Sequence, residues 1–169
     1  MTEFTLPFFG QISLASLEEY YDVDIELNGD KLQIDLNFET KTLDQNQFDT
    51  IKSFIENIEK FDKQNKIYID INSKNAENSV VRDYLEYHLE EVDADDLATI
   101  IDFDNKTTSP ENQLLSKLKL VRVGIYPDQK VESSCLAVFD YTISSEISDQ
   151  LLVVNTNTNG KLDHLTWES

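Results

Sequence analysis

The sequence predicts a single α+β domain over residues 1–169, in which helices pack on one face of a mainly antiparallel sheet. Three observations support this fold class: an N-terminal segment with the pattern of a β-hairpin, a middle section with helical periodicity, and a final third of short apolar runs separated by turn residues. Hydrophobic residues make up 40% of the 169 residues, which is enough to form one core. No repeat, low-complexity tract or linker divides the sequence.

The hairpin is predicted around Asn28-Gly29. Apolar residues alternate with polar ones on both sides of this dipeptide, over residues 21–27 and 32–38. Such a period-two pattern about Asn-Gly is typical of two strands joined by a two-residue turn. With this turn, Asp22 lies opposite Asp35 on the polar side of the hairpin, which we expect to be solvated.

The middle of the chain predicts a helix that begins with residues 42–45 and ends near Lys63. Residues 42–45 have the form of a capping box, and apolar residues follow them at helical spacing. Residues 66–72 fit either a short strand or a further helix, and the sequence does not decide between them.

Further helices are predicted after this ambiguous segment. Ser79 or Asn78 is the expected N-cap of a helix that continues through Glu91. A short helix is expected around residues 97–101, and another begins near Ser109-Pro110, because proline suits the first helical turn.

The last third of the chain predicts an antiparallel arrangement of strands. Turn residues at Pro127-Asp128 and Asn159-Gly160 separate short apolar runs. The expected strands cover residues 118–126, 135–142, 150–156 and 162–167.

The charge of the chain limits its partners. Asp and Glu number 33 and Lys and Arg only 14, so the formal net charge is -19. A surface this negative repels the phosphates of nucleic acids and of anionic lipids, and attracts a basic protein or a cation. We therefore expect neither a nucleic-acid partner nor a membrane partner.

The sequence predicts a cytoplasmic protein without disulfides. The first residues show no basic segment followed by an apolar run, and no apolar stretch reaches the length of a membrane span. The single cysteine, Cys135, cannot form an internal disulfide.

Catalytic and cofactor-binding motifs are not evident. Cys135 has no neighbouring histidine or cation that would activate it, and neither a Gly-x-Ser-x-Gly turn nor a phosphate-binding loop occurs. Acidic residues from Asp22 onward begin like a calcium loop, but glycine falls at the eighth position and Gln33 at the twelfth. We predict no catalytic residue, metal ligand or cofactor.

His88 is the best single candidate for chemistry. It lies in the middle of an apolar helical stripe with Val81, Leu85 and Val92, which predicts a core imidazole bonded to a neighbouring element. The alternative is a metal-dependent or carboxylate-based hydrolase centred near His88. His164, on a predicted strand, is interpreted as an ordinary strand residue.

Six segments of the chain form a pattern in this order: residues 6–10, 18–23, 84–91, 124–127, 139–141 and 167–169. Together they resemble a family of small acidic bacterial proteins catalogued as a domain of unknown function. The resemblance implies the fold and a bacterial, cytoplasmic setting, and the chain is also similar in style to immunity proteins that neutralise bacterial toxins. The family pattern often has a second histidine just before the one at His88, and Tyr87 stands in that place here.

Two acidic patches are the predicted partner-binding surfaces. The first is one side of the 79–91 helix and its exit, with Tyr87 as an aromatic contact. Its charged members are Asp83, Glu86, Glu90, Glu91, Asp93, Asp95 and Asp96. The second is the polar face of the hairpin, with Asp22, Asp24 and Asp35.

The hypothesis that follows is an acidic, non-enzymatic binding protein, an immunity-type inhibitor that occludes a basic partner such as a toxin nuclease. The alternatives are the hydrolase near His88 and an acidic scaffold or regulatory module without catalysis. An acidic surface that serves solubility alone is a further interpretation.

Overall fold

The computed structural model describes residues 3–128 and 136–169. These ranges contain strands and helices of a single α+β fold, which confirms the predicted fold class. The strands are β1 (Glu3–Leu6), β2 (Gly10–Ser13), β3 (Tyr20–Leu27), β4 (Asp30–Asn37), β5 (Lys119–Ile125), β6 (Ala137–Thr142), β7 (Leu151–Thr156) and β8 (Leu162–Glu168). The helices are α1 (Gln45–Glu56), α2 (Ile58–Ser73), α3 (Val80–Glu91), α4 (Ala94–Leu97) and α5 (Pro110–Lys117).

Strands β3 to β8 form a six-stranded sheet in chain order. Each neighbouring pair is antiparallel except β4 and β5, which are parallel. A parallel pair needs a crossover connection, and the whole helical section supplies it. Strands β1 and β2 form a separate antiparallel hairpin.

One row of apolar side chains crosses the sheet on the face that the helices cover. Ile34, Val123, Phe139 and Val154 are paired in register from β4 to β7, and each is completely buried. The ring of Phe54 in α1 packs against Phe139, with centroids 5.9 Å apart. The neighbouring residues of these strands point to the opposite face, which carries Asp35, Arg122 and Asp140.

The predicted hairpin is confirmed with its register. Strand β3 pairs with β4 so that Asp22 faces Asp35, and Asn28-Gly29 forms the turn between the two strands. Asn28 and Gly29 have φ angles of 53° and 86°, as a turn with two left-handed residues requires. The helix predicted from Ser79 through Glu91 is also confirmed, with Ser79 as its N-cap.

The prediction of one helix ending near Lys63 is wrong. Helix α1 ends at Glu56, and α2 begins at Ile58 and continues through residues 66–72, which are helical. Asp62 and Asn65 occupy buried positions of α2 and interrupt its apolar periodicity. Residues 66–72 also resembled a strand because Ile67, Ile69 and Ile71 alternate with polar residues, but of these three only Ile69 is buried.

The N-cap of α1 also differs from the prediction. The cap is Asp44, whose side chain accepts the backbone N–H of Gln47, while the Gln47 side chain accepts the N–H of Asp44. The capping box therefore spans residues 44–47 and not 42–45. Residues 42–45 and residues 44–47 both have the sequence pattern of a capping box, and only the hydrogen bonds show which of them caps the helix.

Other boundaries shift by a few residues. The short helix expected at 97–101 is α4, which begins earlier because Asp93 caps it. The strand expected over 135–142 is β6 from Ala137, and Cys135 lies outside the described residues. The β1–β2 hairpin was not predicted, because its strands have only four residues each. Within the described part of the chain, no helix has the length and apolar character needed to cross a membrane.

Candidate partner-binding site

Helix α3 carries an acidic stripe, defined here as Asp83, Glu86, Glu90 and Glu91. All four side chains are exposed. The opposite side of the helix is buried in the core through Val81, Tyr84, Leu85 and His88. The amphipathic spacing of the sequence therefore directs these four carboxylates to solvent.

The acidic surface continues into α4. Asp93 accepts the backbone N–H of Asp95 at 2.9 Å and caps this short helix. Asp95 and Asp96 lie in its first turn, and all three aspartates are exposed. The structure thus brings the seven predicted carboxylates of this patch together on one helix and its exit.

These seven carboxylates are not neutralised. Among the residues that the structure describes, none of them forms a salt bridge with a lysine, arginine or histidine, whereas Asp24, Glu59 and Asp70 elsewhere each contact a lysine. The patch is therefore an acidic surface without a salt bridge to any described cationic side chain. A basic surface that covered it would supply the missing counter-charges.

Tyr87 lies within the acidic stripe and is half-buried. Its ring packs on Trp167 of β8, with centroids 4.9 Å apart, and the Trp167 ring also meets Tyr84 edge to face at 6.2 Å. The indole N–H of Trp167 donates to Gln150 Oε1 at 2.9 Å. These contacts hold the Tyr87 ring in one orientation beside the carboxylates of the acidic stripe.

Sequence reasoning did not assign Trp167 to this site. Trp167 is 80 residues away from Tyr87 in the sequence, and its strand pattern showed only that it belongs to β8. The pairing of β8 with α3 is a tertiary contact that local periodicity does not contain. The ring contact between the two side chains is what places Trp167 at the site.

The second predicted patch is only partly as expected. Asp22 and Asp24 on β3 are exposed, but Asp35 has no exposed surface. The interpretation of Asp35 as a docking residue on a solvated face is therefore wrong. Strand β3 is one edge of the sheet and α3 packs near β8 at the other edge, so the two patches do not form one surface.

Arg122 explains the burial of Asp35. Its Nε and Nη2 donate to the two carboxylate oxygens of Asp35 at 2.7 and 2.9 Å, and its Nη1 donates to Asp140 at 3.1 Å. A fourth hydrogen bond, of 2.9 Å, goes to the hydroxyl of Tyr126. Burial opposes the charge of Arg122, but the bonds to Asp35, Tyr126 and Asp140 outweigh this effect and raise its pKa.

Two further features belong to the Arg122 network. Burial raises the pKa of the Asp140 carboxyl, and the contact with Arg122 offsets this only in part. Gly124 lies beneath the guanidinium, where an added Cβ would come within 2.6 Å of Arg122 Nη2. The network lies on the face of the sheet opposite the helices. Asp35 and Asp140 have a structural role there as partners of Arg122.

His88 is the core imidazole that the sequence predicted. The side chain is completely buried; Nδ1 lies 2.7 Å from the Tyr84 carbonyl and Nε2 lies 2.7 Å from Ser148 Oγ. Since a carbonyl only accepts, Nδ1 carries the proton and Nε2 accepts from the serine hydroxyl. Burial lowers the pKa of His88, so the ring is neutral at physiological pH.

The described residues offer no evident centre for the alternative hydrolase. Both nitrogens of His88 are engaged, and the ring has no access to solvent. His164 is an exposed strand residue beside Asp163. Over residues 3–128 and 136–169, no group of three His, Cys, Asp or Glu side chains is arranged to hold a metal ion.

Comparison of the chain with protein-family models, with curated protein sequences and with solved structures found no match. The class that the geometry defines is an α+β domain with an uncompensated acidic surface at one edge of its sheet. That surface is the feature of the fold from which we infer a function.

Proposed function

We propose that this protein is an acidic binding protein, an immunity-type inhibitor that occludes a basic partner such as a toxin nuclease. The observation that carries the proposal is the set of seven carboxylates on α3 and α4, around Tyr87, that form no salt bridge within the described part of the chain. A nuclease attracts nucleic acid through a cationic cleft, and the same cleft attracts a protein surface of this charge.

The contact between Tyr87 and Trp167 is the second observation that supports the proposal. Charge complementarity mainly accelerates association and selects the partner, whereas affinity comes from a few desolvated anchors. Tyr87, supported by Trp167, is the anchor that we assign, and the carboxylates form the surrounding rim.

The test is a titration with the protein encoded beside this one in the genome, at salt concentrations from about 50 to 500 mM. We expect binding that weakens steadily with salt, because counter-charges at an exposed rim are screened. Binding that is indifferent to salt would contradict the electrostatic part, and the absence of binding to this partner would leave the acidic scaffold as the better account.

Two matched variants distinguish the patches. Glu86→Gln/Glu90→Gln on α3 is expected to weaken binding about tenfold, since two exposed rim pairs together contribute roughly 1–2 kcal/mol. Asp22→Asn/Asp24→Asn on β3 removes the same charge and is expected to change binding less than about twofold. Tyr87→Ala with Tyr20→Ala as its control tests the anchor in the same way. Equal effects of the paired variants would refute the assignment to α3.

A further inference from the structure

Strand β3 is an edge of the six-stranded sheet and pairs, among the described strands, with β4 alone. The pairing stays in register over all eight residues of β3, and the strand contains neither lysine nor proline. Bulges, proline and lysine are common protections of a sheet edge against a further strand. The other edge, β8, has a register irregularity and is packed by α3. Of the two edges, β3 is therefore the one that can accept a further strand.

The hydrogen-bond pattern shows which backbone groups of β3 are available to such a strand. In an antiparallel pair, hydrogen-bonded residue pairs alternate with non-bonded ones. The N–H of Phe38 donates to the Glu19 carbonyl at 2.9 Å. This bond continues the β3–β4 register by one pair, so the odd-numbered residues of β3 are the ones bonded to β4. The even-numbered residues point their N–H and C=O groups away from β4, where these groups meet no backbone partner within the described residues. They are Tyr20, Asp22, Asp24 and Glu26.

The side chains of β3 divide in the same way. The acidic side chains of the even-numbered positions are exposed on the face of the sheet opposite the helices. The odd-numbered side chains are half-buried on the other face and pack against the border of the core. They are Tyr21, Val23, Ile25 and Leu27. A further strand would place alternate side chains beside the acids and beside this apolar row.

The acids of β3 determine which kind of strand fits this edge. Lys31 contacts Asp24 at 3.3 Å, whereas Asp22 and Glu26 form no salt bridge within the described part of the chain. A second copy of β3 would place acids opposite acids in every register that overlaps most of the strand, because the residues with outward backbone groups face one another. Like charges directly opposite are destabilising. The edge therefore disfavours its own copy and favours a strand with basic residues at every second position.

We propose that the edge of β3 binds an extended segment of a partner protein, in which basic residues alternate with apolar ones, as an additional antiparallel strand. The basic side chains lie beside Asp22 and Glu26, and the apolar ones extend the row that contains Val23 and Ile25. Main-chain hydrogen bonds supply the affinity of such an added strand, and the alternating side chains supply its specificity.

This site is distinct from the acidic stripe and does not depend on the proposed function. It lies at the edge of the sheet away from β8 and α3. A segment of about seven residues buries less area than a stable protein interface, so we expect a dissociation constant of about 10–100 μM.

The experiment is a titration of the full chain with the peptide Lys-Val-Lys-Val-Lys-Val-Lys, with blocked termini, followed by calorimetry and by amide hydrogen exchange in NMR. At about 1 mM peptide, exchange of the N–H groups of Asp22, Asp24 and Glu26 should slow about tenfold or more, because the peptide covers them in the bound state. The odd-numbered amides are already bonded to β4 and should change little.

Control peptides separate strand addition from a general attraction of charge. Lys-Lys-Lys-Lys-Val-Val-Val has the same composition without the alternation. The alternating peptide with N-methyl groups on its lysine residues keeps the charge but lacks the N–H donors that face β3. Each should bind more than tenfold more weakly, and Glu-Val-Glu-Val-Glu-Val-Glu should not bind. Equal binding of the three lysine peptides would show a purely ionic contact and overturn the proposal.

Variants of the chain test the same contact from the other side. Asp24→Pro removes an outward N–H without removing a hydrogen bond to β4, whereas Asp24→Asn removes the same charge and keeps that N–H. The first should weaken peptide binding more than tenfold and the second less than about threefold. Asp22→Asn/Glu26→Gln should weaken it about fivefold. Glu86→Gln/Glu90→Gln removes two charges from α3 and should leave peptide binding unchanged.

Circular dichroism of every variant shows whether it is folded, and the N-methylated peptide tests the backbone contact on the wild-type chain. Three results would each overturn the proposal: no binding of the alternating peptide at 1 mM, equal effects of the two double variants, or amides of the even-numbered β3 residues that are already protected in the free chain because β3 pairs with a second copy.

Discussion

Asp35 lies opposite Asp22 in the β3–β4 hairpin and is nevertheless completely buried. Two carboxylates across a strand pair repel each other, and a buried charge without a counter-charge is strongly unfavourable. The guanidinium of Arg122 donates two hydrogen bonds to Asp35 and supplies its counter-charge. This offsets both the repulsion from Asp22 and the burial of the Asp35 charge. At the scale of the residue, the described acids are therefore of two kinds: those with a cationic partner, such as the buried Asp35, and those of α3 and α4 that form no salt bridge.

The contribution of the Arg122–Asp35 ion pair to stability can be tested with Arg122→Met. We expect a loss of about 3–5 kcal/mol in the free energy of unfolding, because Asp35 becomes a buried charge without a counter-charge. Urea unfolding at pH 7 measures this loss. Arg82→Met is the control, since Arg82 bonds to backbone carbonyls of Ser73 and Asn75 and leaves no buried charge behind.

A second variant tests whether the unpaired charge of Asp35 is the cause of the loss. Adding Asp35→Asn to Arg122→Met removes the unpaired charge and should recover part of the lost stability. If the double variant is no more stable than Arg122→Met, or if Arg82→Met is as damaging, the ion pair is not the cause.

His88 predicts a dependence of stability on pH. Its pKa is lowered in the folded state, so the unfolded chain binds the proton more readily. Its contribution is therefore present above the ordinary pKa of about 6.5 and is lost as the pH falls below that value. Urea unfolding at pH 7.5 and 5.5 measures the loss. His88→Gln should reduce the difference in the free energy of unfolding between the two pH values, and an unchanged difference would contradict the assignment to His88.

At the scale of the element, the most informative difference lies at the start of α1. Asp44→Ala removes the cap and should destabilise the protein by about 1 kcal/mol. Thr42→Ala, at the position that the sequence pattern favoured, should change the free energy of unfolding by less than about 0.5 kcal/mol. Thermal or urea unfolding of the two variants distinguishes them, and a larger effect of Thr42→Ala would contradict the observed cap.

Local patterns were sufficient for the elements whose neighbours in sequence are also their neighbours in space. The β3–β4 hairpin, α3 with its Ser79 cap and the acidic stripe all follow from spacing alone. The Arg122 network could not be predicted, since the parallel pairing of β4 with β5 joins residues 87 apart in the sequence. The burial of Asp62 could not be predicted for a similar reason. Its hydrogen-bond partner, the hydroxyl of Tyr141, lies 2.7 Å away but belongs to β6.

At the scale of the whole molecule, the net charge of -19 acts against folding. The exposed carboxylates of α3 and α4 repel one another in the compact state more than in the unfolded chain. Salt shortens the range of this repulsion, from about 30 Å at 10 mM to about 8 Å at 150 mM.

The free energy of unfolding should therefore rise with sodium chloride over this range. Urea unfolding at 10 and 150 mM measures the rise. The variant Glu86→Gln/Glu90→Gln/Glu91→Gln has three fewer charges and should show a smaller rise. A stability that falls with added salt in both proteins would mean that attractive pairs dominate the surface.

The parallel pairing of β4 and β5 has a consequence for synthesis on the ribosome. Residues 38–118 separate the two strands, and at roughly 5–20 residues per second they take about 4–16 s to translate. During that interval the open edge of β4 has no neighbour, and nascent chains with such edges are prone to aggregate. We expect the charge of Asp35 on β4 to disfavour wrong strand pairing until Arg122 has been translated. Ribosome-bound chains stalled after residue 118 should stay dispersed with Asp35 and cluster with Asp35→Val.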